Sequence, residues 1–151
     1  MNSKKIIRRA KKGRPIRQVA AVPFRLTSNG EMQVMLITSR STQRFIVPKG
    51  WTMKGKSGCE AASAEAFEEA GVSGRIIEDP VGRYRYWKRL SKRFVLVDVT
   101  VYLLSVEGEY ANWDEADARQ RRWLSPPAAA TLIDEPELAS LVESLAIPQE
   151  H

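Results

Sequence analysis

Short runs of alternating or β-branched apolar residues recur along the chain, and this pattern is typical of β-strands. The run at 94–106 is the densest in β-branched and aromatic residues, so it predicts the central strand of a sheet. Ser28, Asn29 and Gly30 separate the first two runs and predict the turn of a hairpin. In full, the pattern predicts strands at 17–26, 33–38, 44–47, 74–77, 81–87, 94–106 and 119–124.

Helix signals lie in the middle of the chain and at its end. Ser57 followed by Glu60 forms a capping box that begins a helix, and Gly71 suits the left-handed residue that ends it. A helix between the strands, with further helices after them, predicts an α+β fold in which a mixed sheet carries helices on both faces. The later helices are expected to start at Ser125-Pro126 and to span about 136–145.

The central helix carries three glutamates on one side. Glu65, Glu68 and Glu69 are spaced i, i+3 and i+4, which places them within an arc of about 100°. Like charges at this spacing cost a helix roughly 0.2–0.5 kcal/mol per pair, and a divalent cation such as Mg²⁺ would offset that cost. A solvated acidic face is the alternative interpretation. A neighbouring stripe of small residues lets the helix pack closely on its surroundings: Cys59, Ala62, Ala66 and Ala70.

The loop before this helix is rich in lysine and glycine. It follows Pro48 and brings backbone groups and ammonium charges to the helix N-terminus, where phosphate is bound well. The residues expected to contact phosphate there are Lys49, Gly50, Lys54 and Lys56. We therefore expect the chemistry of the protein between residues 50 and 72.

The stretch from Gly50 to Val72 resembles the Nudix box, whose pattern is G-x5-E-x7-R-E-U-x-E-E-x-G-U with U aliphatic. The register matches over the whole stretch, with departures at Lys56, where the family has Glu, and at Ala64, where it has Arg. The resemblance implies an α/β/α sandwich with a mixed sheet and a need for Mg²⁺ or Mn²⁺. Because the family's Arg orients the carboxylates, Ala64 puts their preorganisation in question.

The resemblance also implies individual roles in the box. Glu68 and Glu69 would be metal ligands, and Glu65 would be a further ligand or the general base. A backbone carbonyl at Lys49 or Gly50 would be another metal contact. Outside the box, Glu115 in an acidic loop at 108–118 is a candidate for a further ligand or base, in competition with Asp114 and Glu109.

Within this family the chain is most similar to the diphosphoinositol polyphosphate phosphohydrolases, which also cleave dinucleoside polyphosphates. The shared features include Arg17 at the first strand, Ser39-Arg40 after the second and 45–48 before the box, while 49–51 departs from the three glycines of that subgroup. A highly phosphorylated substrate needs several polar or cationic groups besides the metal. Outside the loop, the candidates are Arg17, Ser39, Arg40, Lys88, Arg89 and Arg119.

Composition indicates the number of domains and the cellular compartment. A length of 151 residues favours one domain, and one cysteine excludes an internal disulfide and favours a reducing compartment. No apolar run is long enough to cross a membrane and no secretory signal is visible. These features predict a soluble, cytoplasmic protein without a membrane partner, and they leave open whether it is a monomer or a homodimer. Cys59 is expected to be a small packing residue rather than a nucleophile.

Charge is distributed unevenly. The net charge is +6, and residues 1–17 carry eight basic residues and no acidic one, so the rest of the chain sums to 6 − 8 = −2. We expect residues 1–16 to form a basic, flexible arm, 17–146 the folded domain and 147–151 a frayed tail with His151. The arm is interpreted as a solubilising tail, and contact with nucleic acid or an anionic surface is the alternative.

These observations predict divalent-metal-dependent hydrolysis of a phosphoanhydride in a nucleoside- or inositol-type diphosphate or polyphosphate. One alternative is an RNA 5′-pyrophosphohydrolase that grips its substrate with the basic arm. Another, from a different class, is a catalytically weak binding or sensor module for a phosphorylated ligand, which Lys56 and Ala64 keep open.

Overall fold

The computed structural model describes residues 3–13 and 16–148. Within those ranges the strands form one mixed sheet, and their bounds are β1 Ile16–Leu26, β2 Met32–Thr38, β3 Phe45–Ile46, β4 Lys49–Trp51, β5 Val72–Ile76, β6 Gly82–Leu90, β7 Arg93–Glu109 and β8 Arg121–Leu124. The helices are α1 Ser3–Lys11, α2 Gly58–Glu65, α3 Pro126–Leu132 and α4 Pro136–Glu143, and a π-helical segment, Ala66–Ala70, continues α2.

Strand β7 is the centre of the sheet, as its sequence predicts. It pairs in parallel with β1, and it pairs in antiparallel with both β5 and β6. On the other side, β1 pairs in antiparallel with β2 and with β4, and β2 continues the sheet to β3 and β8. The hairpin predicted from Ser28, Asn29 and Gly30 is confirmed as β1 and β2.

Helices cover the sheet on both faces. On one face, Ile6 of α1, Ala129 of α3 and Leu138 of α4 are buried in a core with residues of β1, β2, β6 and β7. On the other face, small residues of α2 and the π-helical segment pack against β1 and β2. The small side chains predicted to allow this close approach include Ala62, Ala66 and Ala70, all fully buried. The predicted α/β/α sandwich is therefore confirmed.

The ends of the central helix agree with its sequence signals, but its middle does not. The Ser57 hydroxyl accepts from the Glu60 backbone N–H at 3.2 Å, and Glu60 closes the capping box. Gly71 has a φ of 64°, as expected for a left-handed terminus. Between these ends, the predicted single α-helix becomes π-helical from Ala66 to Ala70.

Two further predictions differ from the structure. Residues 49–51, expected in the phosphate loop, form β4, because the backbone of Lys49 to Trp51 pairs with Gln18 to Ala20 of β1. In the stretch expected to be a flexible arm, Ser3–Lys11 is helix α1, which is anchored because Ile6 is only 2% exposed. Arg14 of the arm and His151 of the tail lie outside the described residues.

The helices are too short to reach across a bilayer. Over the described ranges, none of them is long and apolar enough to span a membrane.

Candidate metal and phosphate site

The carboxylates predicted to bind metal lie where α2 passes into the π-helical segment. Glu65 is the last residue of α2, and its carboxylate lies against Gly50 so closely that a Cβ there would be 2.3 Å from it. Glu69 follows in the π-helical segment and is buried, whereas Glu68 is exposed. Glu65 and Glu69 are four residues apart and so lie on the same side of the helix, and π-helical turns often occur at functional sites.

Glu69 is held from three sides. The Lys49 backbone N–H donates to Glu69 Oε1 at 3.3 Å, and Arg119 Nη2 lies 3.6 Å from the same oxygen. Behind the helix, Trp113 Nε1 donates to the Glu69 backbone carbonyl at 3.0 Å. The Glu69 carboxylate is therefore fixed between β4 and the segment that precedes β8.

Arg119 connects the carboxylates to the sheet. Its Nε lies 3.1 Å from Glu115 Oε1, and its Nη1 donates to the Thr38 carbonyl at 3.0 Å. The Arg119 side chain is only 8% exposed, so these contacts are shielded from water. Ala64 brings no cation to the cluster. The guanidinium that contacts Glu69 comes instead from Arg119, which also joins Glu69 to Glu115.

Burial changes the protonation of these carboxyl groups. It raises the pKa of Glu69 to about 7, against the opposing field of Arg119, and the Glu65 carboxylate adds to the rise. The pKa of Glu65 is also raised, first by burial and then by Glu68, while a hydrogen bond with Glu69 opposes the rise. Two adjacent, partly desolvated carboxyl groups resist ionising together, and a divalent cation between them would relieve that cost.

The ligand set is partial. Over residues 3–13 and 16–148, no group of three or more His, Cys, Asp or Glu side chains is already arranged around a point that could hold a metal ion. The pair of Glu65 and Glu69 nevertheless fits a hard cation, because Mg²⁺ takes one or two carboxylates and completes its shell with water and substrate phosphates.

The shifted pKa of Glu69 predicts how the stability of the metal-free protein depends on pH. The folded pKa of about 7 lies above the ordinary 4.5, so between these values the folded state binds more protons than the unfolded state. Stability should therefore fall as the pH rises through this window, by about 1–3 kcal/mol. Urea unfolding at pH 5 and pH 7.5 measures the change. Glu69→Gln should flatten it, and parallel curves for the two proteins would contradict the assignment.

Seven of the predicted phosphate-binding side chains fall into two groups. The first group lies close to Glu115 or to β4 and consists of Arg40, Lys88 and Lys49. Arg40 Nε is 3.7 Å from Glu115 Oε1, and Lys88 Nζ lies 5.8 Å from the centre of the Trp51 ring, beside β4. Lys49 Nζ lies over the Tyr86 ring, and burial lowers its pKa against the fields of Glu69 and Glu135. In the second group, no described hydrogen bond or ion pair joins the side chain to these carboxylates, and all four side chains are exposed: Arg17, Lys54, Lys56 and Arg89.

Ser39 and the competing acids have other surroundings. The Ser39 hydroxyl contacts Thr42 Oγ1 at 2.7 Å and accepts from the Arg44 N–H, so it shapes its own loop. Glu109 accepts from Trp123 Nε1 at 3.2 Å, and Asp114 is exposed. Of the three acids considered for the acidic loop, the structure places Glu115 in the network of Arg119.

Several residues that support the site carry no recognisable sequence signal. Arg121 Nη1 donates to the carbonyls of Ala70, at 3.2 Å, and Tyr110, at 2.8 Å, and the guanidinium lies 4.0 Å from the centre of the Trp113 ring. Together with the Trp113 bond to Glu69, this fixes the end of the π-helical segment. Strand alternation in 119–124 could have placed Arg119 and Arg121 on one side, but not their partners.

Gly50 gives a test of the packing around Glu65. A Cβ at Gly50 would lie 2.3 Å from the Glu65 carboxylate, so Gly50→Ala must displace that carboxylate. We expect turnover of a phosphoanhydride substrate to fall about 10- to 100-fold, as for residues that orient metal ligands. Gly82→Ala is the matched control, because its Cβ would meet Leu141 Cδ1 at 2.4 Å, a side chain outside the carboxylate cluster. Equal losses of turnover in both variants would contradict this role of Gly50.

Comparison with known proteins gives the family. The model of the NUDIX domain family matches residues 16–145. Nudix hydrolase 13, mitochondrial, of Arabidopsis thaliana is 34% identical over 130 residues, which cover 74% of this chain and 63% of that protein. Nudix hydrolase 4 of the same plant is also 34% identical, over 71% of this chain and 54% of its own length. The chain therefore spans less than two thirds of these relatives.

A solved structure agrees on the fold. The C. elegans Ap4A hydrolase in a binary complex superposes with a TM-score of 0.63 at 20% identity, covering 85% of this chain and 93% of that one. At this identity the likeness concerns the fold alone. The family match covers most of the chain, and it includes the glutamate helix, the loop before it and Arg119. The chain belongs to the NUDIX domain family.

Proposed function

We propose that this protein hydrolyses a phosphoanhydride bond in a nucleoside diphosphate derivative with the help of a divalent cation. The observation that carries the proposal is the cluster of Glu65, Glu69 and Glu115, organised by Arg119 and placed beside Gly50. Members of this family generally use divalent metal ions, and the two adjacent carboxyl groups of Glu65 and Glu69 fit one.

In this mechanism Glu65 and Glu69 would hold the cation, and the exposed Glu68 would be a further ligand. A bound cation supplies Lewis-acid activation of water and neutralises charge on the phosphates. Glu115 or Glu65 accepts the proton of the attacking water as general base. Arg119 orients the carboxylates of Glu69 and Glu115, and its guanidinium opposes the rise in the pKa of Glu69 that burial causes.

The cations around the cluster suit a substrate with several phosphates. Arg40 lies beside Glu115, and Lys88 lies beside the β4 strand, so both can approach phosphates bound near Gly50. We propose diphosphoinositol polyphosphates and dinucleoside polyphosphates as the preferred substrates, and Mg²⁺ or Mn²⁺ as the ion. The support is the resemblance of the segments that carry Arg17, Ser39-Arg40 and Arg119 to that subgroup.

A substrate panel tests the proposal. Phosphate or nucleotide release would be measured with Mg²⁺, with Mn²⁺ and with EDTA. The substrates are diadenosine polyphosphates, diphosphoinositol phosphates, nucleoside triphosphates, nucleotide sugars and 5′-triphosphorylated RNA. Metal-dependent turnover of one class supports the proposal and names the substrate. Tight binding of a panel member without turnover would overturn it in favour of a sensor module.

A further inference from the structure

The β6 and β7 hairpin exposes aromatic and apolar side chains on one face. Trp87 is 65% exposed, Phe94 61% and Leu96 42%. Neighbouring strand residues point to opposite faces, so Tyr84 and Val95 are buried in the core while the alternate residues of each strand point outward. We call the outward set the outer hairpin face, and it consists of Arg83, Arg85, Trp87, Arg89, Phe94, Leu96 and Asp98.

The strand register makes these residues a continuous surface. Trp87 pairs with Leu96, and Arg89 pairs with Phe94. The apolar residues therefore sit side by side across the two strands. Arginines flank Trp87 along β6, with Arg83 and Arg85 before it and Arg89 after it.

Helix α2 covers this side of the sheet elsewhere but does not reach the outer hairpin face. Its start packs on Tyr102, whose hydroxyl would be 2.3 Å from a Cβ at Gly58. Leu96 lies six residues before Tyr102 on the same face of β7, which is about 20 Å along the strand. Helix α2 has eight residues and is about 12 Å long. Within residues 3–13 and 16–148, no helix therefore covers the outer hairpin face.

The charge around this face is strongly positive. Asp98 is its acidic residue, and Arg85 Nε neutralises it at 3.1 Å. Ala10 and Gly13 line a recess of about 440 Å³ together with Trp87, Phe94 and Leu96, so the end of α1 borders the face. Two basic stripes at helical spacing run along α1 and the residue after it: Lys4, Arg8 and Lys11, and Lys5, Arg9 and Lys12.

We propose that the outer hairpin face binds a single-stranded polynucleotide, with bases stacked on Trp87 and Phe94 and backbone phosphates paired with the surrounding arginines. Flat aromatic platforms flanked by cations bind single strands, because every base offers a stacking surface and every linkage a negative charge. A second copy of this chain does not fit, because the two faces would bring arginines against arginines. This function goes beyond phosphoanhydride hydrolysis and does not depend on the carboxylate cluster.

The test uses a fluorescein-labelled 12-nucleotide strand with a 5′-hydroxyl end, as RNA and as DNA of the same sequence, in anisotropy titrations of the full chain. Such a strand has no phosphoanhydride, so binding reports on the face and not on hydrolysis. We expect binding to weaken with salt, with a slope in log K of about −3 if about four phosphates are neutralised. Trp87→Ala and Phe94→Ala should each weaken it by roughly 10-fold or more.

Controls separate the surface from the fold. Leu26→Ala removes another exposed apolar side chain, 49% exposed on β1, and should leave the affinity unchanged. Both aromatic variants should keep the circular dichroism spectrum and the small-substrate turnover of the parent protein. The proposal is overturned if neither strand binds at low salt, or if Trp87→Ala and Phe94→Ala both bind with the affinity of the parent protein. Binding to anionic phospholipid vesicles without binding to either strand would also overturn it.

Discussion

Glu69→Gln is expected to reduce metal-dependent turnover by on the order of 10³-fold, equivalent to about 4 kcal/mol of transition-state stabilisation. Glutamine has nearly the same shape, so it can still accept from the Lys49 N–H, but it cannot supply the charge that holds a cation beside Glu65. Steady-state kinetics with the best substrate of the panel measures the loss. Isothermal titration with Mn²⁺ should show weakened metal binding in the same variant.

Glu60→Gln is the matched control for this prediction. Glu60 lies on the same helix, is exposed and takes part in the capping box, a role that glutamine also fills. Its turnover should stay within about twofold of the parent, since a small change in a cap shifts stability by only tenths of a kcal/mol. Full activity of Glu69→Gln would exclude Glu69 from the metal site, and equal losses in both variants would point to a general effect of helix charge.

Arg119→Ala is expected to lower the free energy of unfolding by about 3–5 kcal/mol, because it removes the guanidinium that faces the buried carboxylate of Glu69 and joins it to Glu115. The Arg119 side chain is 8% exposed, and it also donates to the Thr38 carbonyl, which would lose that bond. Chemical unfolding at pH 7.5 measures the loss. At pH 5 the loss should be smaller, because Glu69 is then protonated and needs less compensation.

The ion pair of Arg85 with Asp98 provides a control for Arg119→Ala, because it joins an arginine Nε to a carboxylate oxygen at the same distance. Arg85 Nε lies 3.1 Å from Asp98 Oδ1, as Arg119 Nε lies 3.1 Å from Glu115 Oε1, but the Arg85 side chain is 60% exposed. Arg85→Ala should therefore cost no more than about 1 kcal/mol. If the two alanine variants were equally stable, the network around Arg119 would contribute nothing beyond a surface ion pair.

The parts of the site that depend on nearby residues could be predicted from the sequence. Ser57, Glu60 and Gly71 mark the ends of the carboxylate helix, because a cap is a contact over three or four residues and leaves a local pattern. The central position of β7 was also predictable, because a strand buried by neighbours on both sides is dense in β-branched residues.

The parts that depend on distant residues could not be predicted. The last carbonyls of the π-helical segment accept hydrogen bonds from Trp113 and Arg121, which lie 44 and 51 residues away along the chain. Arg119 was one of six candidate phosphate-binding residues outside the phosphate loop. Nothing in the sequence around it distinguished it from Arg89, which is exposed on β6. The same limit applies to β4, whose three residues pair with β1 through backbone atoms that any sequence provides.

The parallel pairing of β1 with β7 has a consequence for the order of folding. Ile16 pairs with Val97, so closing this ladder joins positions 81 residues apart. The glycine-rich loop, β4 and the carboxylate helix all lie within the chain segment that this pairing encloses. Contacts so distant along the chain form slowly, because closing the intervening segment costs conformational entropy before the new contacts can stabilise the structure. During synthesis, the carboxylates therefore cannot reach their final arrangement until β7 and Arg119 have left the ribosome.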